Sequence, residues 1–130
     1  MRDPMPPAPL PRRPSPAIAR TIEFIGTHFA ERISLQDLAA IAGLSVFRFV
    51  TVFRQQMGIS PHRYLCRVRV SRAQALLREG VPTAIVATEV GFFDQSHLGR
   101  HFKSQCGLTP RQYLSAAVAA GEPAAIAMFP

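Results

Sequence analysis

Gln95, Ser96, His97, Arg100 and His101 crowd into one short stretch of this chain. At helical spacing Leu98 and Phe102, four apart, point inward and leave those polar groups outside. A glutamine can pair bidentately with the edge of adenine, and an arginine with guanine. Gln95, Ser96 and Arg100 are therefore candidate base contacts, with His97 beside them. His101 and Lys103 are candidate phosphate contacts. Metal binding is the rival chemistry. His97 and His101 lie four apart with Cys106 nearby, and His62 and Cys66 are also four apart, a spacing that can hold zinc. No Glu accompanies the His pair and no C-x-x-C occurs, so neither a metal nor a cofactor is expected. An enzymatic role is not expected either. There is no Ser/His/Asp order and no Gly-rich phosphate loop, and the eight acidic residues are scattered.

The charge balance favours a polyanionic partner. The chain has 15 basic and 8 acidic residues, net +7, and all but one of the basic residues are Arg. Arg suits phosphate because its planar fork bonds two oxygens at once. From Ser45 to Arg72 the sequence holds Arg48, Arg54, Arg63, Arg67, Arg69 and Arg72 and no acid. This block is a candidate polyanion-binding surface; a solvated helix face is the plainer alternative. Cys66 and Cys106 sit in apolar helical patterns and are expected to be buried free thiols. No signal peptide is visible, and no apolar stretch reaches the roughly 18 residues of a membrane span. A cytoplasmic, nucleoid-associated protein is expected.

The elements that must position these groups are helices, and the fold class expected is all-α. Residues 1–16 contain seven prolines and are expected to be a disordered Pro/Arg-rich linker or arm. Residues 17–31 place Ile18, Ile22, Ile25 and Phe29 at helical spacing. Ser34, with Asp37 three residues on, opens a short helix that stops at Gly43. Ser45 caps a helix to Met57, and Ser60-Pro61 starts a long one to about Gly80. Pro82 opens a short helix closed by Gly91, Asp94 caps a helix to about Gln105, and Thr109-Pro110 starts the last. The domain is expected over 17–118, followed by a flexible tail, 119–130.

These seven helices contain an internal repeat. Phe53-Arg54, Gly58-Ile59-Ser60-Pro61 and Tyr64-Leu65 return as Phe102-Lys103, Gly107-Leu108-Thr109-Pro110 and Tyr113-Leu114, at an offset of 49. Ala39, Ala42 and Gly43 return as Ala87, Val90 and Gly91 at an offset of 48, so one residue is inserted after the second glycine. Helix, glycine turn, helix is the grammar of a helix-turn-helix, here used twice. The expected architecture is two helix-turn-helix subdomains joined by a long central helix. In such a motif the second helix enters the major groove. The two would be 45–57 and 94–105. A connector of about 20 residues is roughly 30 Å long, close to the roughly 34 Å of one DNA turn. One chain could thus grip two successive grooves as a monomer, on an asymmetric site. On helix 45–57 the outer candidates are Phe47, Arg48, Val50 and Thr51, with Phe47 and Thr51 suited to a thymine methyl. Arg54, Arg111 and the helix starts at Ser60 and Thr109 are candidate phosphate contacts.

These residues resemble the DNA-binding domain of the AraC/XylS family of bacterial transcription regulators. The strongest match is GFFDQSHLGRHFKSQCGLTPRQYL, residues 91–114, close to the family's G-F-x-D-Q-S-H-F-x-R-x-F-K-x-x-x-G-x-T-P-x-x-Y. SLQDLAAIAGLS, FRQQMGISPHRYL and RVRVSRAQALL fit as well, so the resemblance covers about residues 17–118. It implies sequence-specific binding of double-stranded DNA, regulation of transcription, and RNA polymerase as a further partner. Leu98 departs from the family's aromatic residue, Leu114 from its frequent Arg, and Val50-Thr51 from the polar residue or Arg that commonly faces the groove there. The first grip is therefore expected to be the looser one. Tandem helical hairpins can also bind proteins, and this is the rival function of a different class.

Overall fold

The computed structural model describes residues 13–121, and the expectations for 1–12 and 122–130 lie outside them. Seven helices, and no strand among the described residues, follow in order. They are α1 (Pro16–His28), α2 (Leu35–Ala42), α3 (Val46–Met57), α4 (Pro61–Arg78), α5 (Thr83–Glu89), α6 (Gln95–Cys106) and α7 (Pro110–Ala119). The N-terminal boundary needs correction. Proline at the first helical position gives up an N–H that would be unpaired anyway, so Pro16 opens α1 with Ser15 as its cap. Helix α1 also ends at His28, short of the expected residue 31.

Both repeat copies are capped alike. Ser45 and Asp94 accept from the N–H groups of Arg48 and His97 at 3.2 and 2.9 Å. Helices α3 and α6, 12 residues each, end at Gly58 and Gly107, whose φ values of 82° and 79° favour glycine. Between α2 and α3 the chain turns by 79°. Tyr64 meets Phe53 edge-on at 5.7 Å, and Tyr113 meets Phe102 in the same way at 5.4 Å.

Helix α4 serves both units. Leu65 joins a first core with Ile18, Ile25, Leu38, Phe49 and Phe53. Cys66, Val70, Ala73 and Leu77 join a second core with Val86, Phe92, Leu98 and Phe102. The structure carries the repeat back further than the sequence motif did. The buried positions of α1, Ile18, Thr21 and Ile25, fall at the offset of 48 on Cys66, Arg69 and Ala73, all buried. The first half of α4 thus closes unit one, as α7 closes unit two, and its second half opens unit two, as α1 opens unit one. With 18 residues α4 is about 27 Å long, slightly under the expected connector.

Gly26 lies exposed inside α1, and an added Cβ would meet nothing within 4 Å. Glycine there costs helix stability through backbone entropy. Gly26→Ala is expected to raise stability by roughly 0.5–1 kcal/mol, read as a higher thermal midpoint. A lower midpoint would contradict the placement of Gly26 in open space.

Candidate nucleic-acid interface

The outer face of α6 meets the N-termini of α5 and α7 around an open concavity of about 410 Å³. Gln95, Ser96 and Gly99 line it from α6, Thr109 and Arg111 from the start of α7, and Thr83 from the start of α5. Two candidate base contacts and two candidate phosphate contacts, scattered over 17 positions of sequence, therefore share one hollow. Thr83 was missed by sequence reasoning. Its signal was its position at the first residue of a helix that leads into a turn. Gly99 keeps the floor of the hollow low. The α7 start carries a capping box: Thr109 Oγ1 accepts from the Gln112 N–H at 3.1 Å, and Gln112 Oε1 accepts from the Thr109 N–H at 2.9 Å. Those two amides are spent on the cap. The phosphate capacity at this end is thus carried by the Arg111 guanidinium and its own N–H.

Arg100 and Lys103 are exposed on α6, as are Arg48 and Arg54 on α3. Among the described residues the one ion pair is His28–Glu31, at 2.8 Å. These cations therefore face solvent without a carboxylate to neutralise them, as a surface awaiting phosphates requires. Phe47 is 83% exposed near the start of α3. Thr51 is half-buried and its hydroxyl donates to the Phe47 carbonyl at 3.0 Å. Val50, expected on the outer side, is partly buried against the first core. Ser60 accepts from the Arg63 N–H at 3.2 Å at the start of α4.

Two histidines sit differently from the simple outward placement of the helical wheel. His97 is half-buried, and its Nδ1 accepts from the Phe93 N–H at 3.2 Å, bracing the turn before α6. His101 lies in the seam between α4 and α6, its ring stacked on Phe92 at 5.2 Å. The rings of His97 and His62 stand edge-on to His101 at 4.9 and 6.3 Å. His62 and Cys66 belong to the same seam, which forms a cleft of about 170 Å³ edged by Arg63, Arg67 and Ser104. Cys66 Sγ is 3.6 Å from His62 Nε2, and burial pushes the thiol up, so it stays protonated. Among the described residues no three His, Cys, Asp or Glu side chains are placed to hold a metal ion.

Burial, and then the positive neighbours His97, His62, Arg100 and Arg69, hold the His101 imidazole below its ordinary value of 6.5. The unfolded chain therefore takes up this proton first as pH falls through 6.5, and stability falls until the folded value is passed. Thermal midpoints of the native chain are expected to drop below pH 6.5 by more than those of His101→Gln. Greater native stability in acid would contradict this seam.

Arg69 corrects the expected basic surface. It is only 8% exposed. Its Nε donates to the Phe29 carbonyl at 2.6 Å and its Nη2 to the Glu31 carbonyl at 3.0 Å. The guanidinium lies 5.6 Å from the Phe92 ring centroid. It neutralises the carbonyl end of α1 and joins unit one to unit two, so it is not available to a polyanion. Gly91, at φ 100°, packs here: a Cβ would come within 2.8 Å of Arg69 Nε and 2.9 Å of the Phe29 carbonyl.

Two helix-turn-helix units on a shared helix, each with a capped second helix turned outward, define a tandem helix-turn-helix protein. The chain belongs to the AraC/XylS family: the helix-turn-helix domain profile matches residues 38–116, more than half of the chain. It is similar to YbfI of Bacillus subtilis, an uncharacterized HTH-type transcriptional regulator, at 40% identity over 85 residues. That match spans 65% of this chain and 31% of YbfI. The activator RhaS of Klebsiella pneumoniae is 33% identical over 91 residues, 69% of this chain and 33% of RhaS. The chain thus spans about a third of the length of these curated relatives. Among solved structures, the DNA-binding domain of the global transcriptional factor AdpA, in complex with a target DNA, matches with a TM-score of 0.76 and 32% identity. It covers 82% of this chain and 96% of that domain. The C-terminal domain of AraT, a response regulator from Geobacillus stearothermophilus, has a TM-score of 0.76 and 28% identity, over 81% of this chain and 88% of its own. Among the described residues no single helix is long and apolar enough to cross a membrane.

Proposed function

We propose that this chain binds double-stranded DNA sequence-specifically, as the DNA-reading part of a transcriptional regulator. Helices α3 and α6 enter successive major grooves on one face of the duplex. The observation that carries this is the hollow on unit two, where Gln95 and Ser96 share one surface with Thr109 and Arg111. A base edge and its neighbouring phosphates present that combination of groups. The family membership and the DNA-bound AdpA domain support the same reading. Gln95, Ser96, Arg100, Phe47, Arg48 and Thr51 contact bases, with His97 as the brace of the second reading helix. Arg54, Ser60, Lys103 and Arg111 contact phosphates, with Thr109 as the cap that sets Arg111 in place, while His101, enclosed in the α4–α6 seam, is withdrawn from the phosphate contacts. One copy suffices for an asymmetric site, RNA polymerase is the further partner, and the protein acts in the cytoplasm on the nucleoid without catalysis.

Titration of a fluorescent duplex pool tests this. Phosphate-driven binding is expected to weaken by roughly 10³-fold or more between 50 and 200 mM salt; no binding at low salt would refute the proposal. On a selected site, Arg100→Ala is expected to lose about 1–3 kcal/mol of discrimination at one base pair. Arg54→Ala should weaken all sequences alike. Identical behaviour of the two variants would overturn the sorting into base and phosphate contacts.

A further inference from the structure

The two units share a backbone plan, and they differ in chemistry at four matched positions of their reading surfaces. The α7 side of the hollow of unit two, Thr109 to Arg111, keeps polar equivalents in Ser60 and His62. On its α5 and α6 sides the hollow is lined by Thr83, Gln95, Ser96 and Gly99. At the repeat offsets of 48 and 49, unit one has Leu35, Val46, Phe47 and Val50 in their places. Leu35, Val46 and Phe47 are exposed, and Val50 is half-buried. Every hydrogen-bonding side chain at these positions of unit two is replaced by hydrocarbon in unit one. The nearby Thr51 hydroxyl is already bonded to the helix backbone. Arg54 stands exposed on the same helix, so the apolar surface lies beside a cation suited to a phosphate, with Arg48 next to it toward the bases.

Only an A·T pair presents a methyl group in the major groove, the C5 methyl of thymine. We infer that unit one recognises its half-site through thymine methyl groups, whereas unit two reads hydrogen-bonding edges. This rests on the DNA-binding reading proposed above and specifies its first half. The site then has a methyl-dependent half read by Val46, Phe47 and Val50, and a methyl-independent half read by Gln95, Ser96 and Arg100.

Deoxyuridine substituted for thymidine removes that methyl and leaves the Watson–Crick edge intact. On a duplex selected from a random pool, substitution in the first half-site is expected to weaken binding about fourfold for each contacted methyl. Substitution in the second half-site should leave affinity within about twofold. Phe47→Ser installs the residue found at the equivalent Ser96, at a position exposed enough to spare the fold. It is expected to reduce the thymine-to-uracil difference in the first half while leaving base discrimination by Arg100 intact. Tight binding that ignores uracil in the first half would overturn this inference alone and leave the patch to a protein partner. Equal losses in both halves would overturn it as well. Failure to bind any duplex would remove the underlying proposal, and this one with it.

Discussion

Replacing Arg69 with methionine is expected to destabilise the fold by about 2–4 kcal/mol, because two carbonyls lose a charged donor. For a domain of this size the thermal midpoint should fall on the order of 10–20 °C. Methionine keeps much of the buried stem, so the loss reports the guanidinium and its bonds to Phe29 and Glu31. Arg67, exposed one half-turn away on α4, provides the control. Arg67→Met should change stability by no more than about 0.5 kcal/mol. Gly91→Ala attacks the same junction from the other side and should weaken it too, since its Cβ would overlap both Arg69 and the Phe29 carbonyl. Equal stability of Arg67→Met and Arg69→Met would contradict the bracket between the units.

The second large effect is expected from a proline at Ala73. Ala73 is 0% exposed in the middle of α4. Proline there removes one hydrogen bond of the helix ladder and drives its ring into the preceding turn, at about 3 kcal/mol or more. The packed second core, which has no room for the ring, adds to that cost. Because α4 closes unit one and opens unit two, breaking it should abolish simultaneous grip of two grooves. Ala73→Pro should reduce affinity for a two-groove site to the level of a single half-site. Unchanged affinity would refute the role of α4 as the spacer. Exposed Ser71→Ala, two residues earlier, is expected to leave affinity as it is.

Local chemistry made most of the fold legible. Ser34, Ser45, Ser60, Asp94 and Thr109 announce helix starts because their side-chain oxygens accept from the first-turn amides. Gly43, Gly58 and Gly107 announce helix ends because only glycine adopts positive φ without strain. The repeat then paired these signals into two units. What stayed hidden depends on contacts between residues far apart in sequence. Arg69 looks like any arginine of a basic block, and only the approach of the α1 carbonyl end turns it inward. His101 follows the helical wheel to the surface of α6, but α4 brings His62 and Arg69 against that surface. Thr83 has no motif of its own and enters the site through α5 packing beside α6. The apolar patch of unit one was partly legible, since Phe47 and Val50 stand out in the sequence. Its full meaning needed the structural equivalence of Leu35 with Thr83 and Val46 with Gln95.

The claim that one chain holds two successive major grooves is tested most directly by a hydroxyl-radical footprint on a selected duplex, with stoichiometry measured on the same complex. One protein per duplex should protect two backbone clusters on one face, centred about 10–10.5 base pairs apart. A single protected cluster, or two protein molecules on a palindromic site, would contradict it.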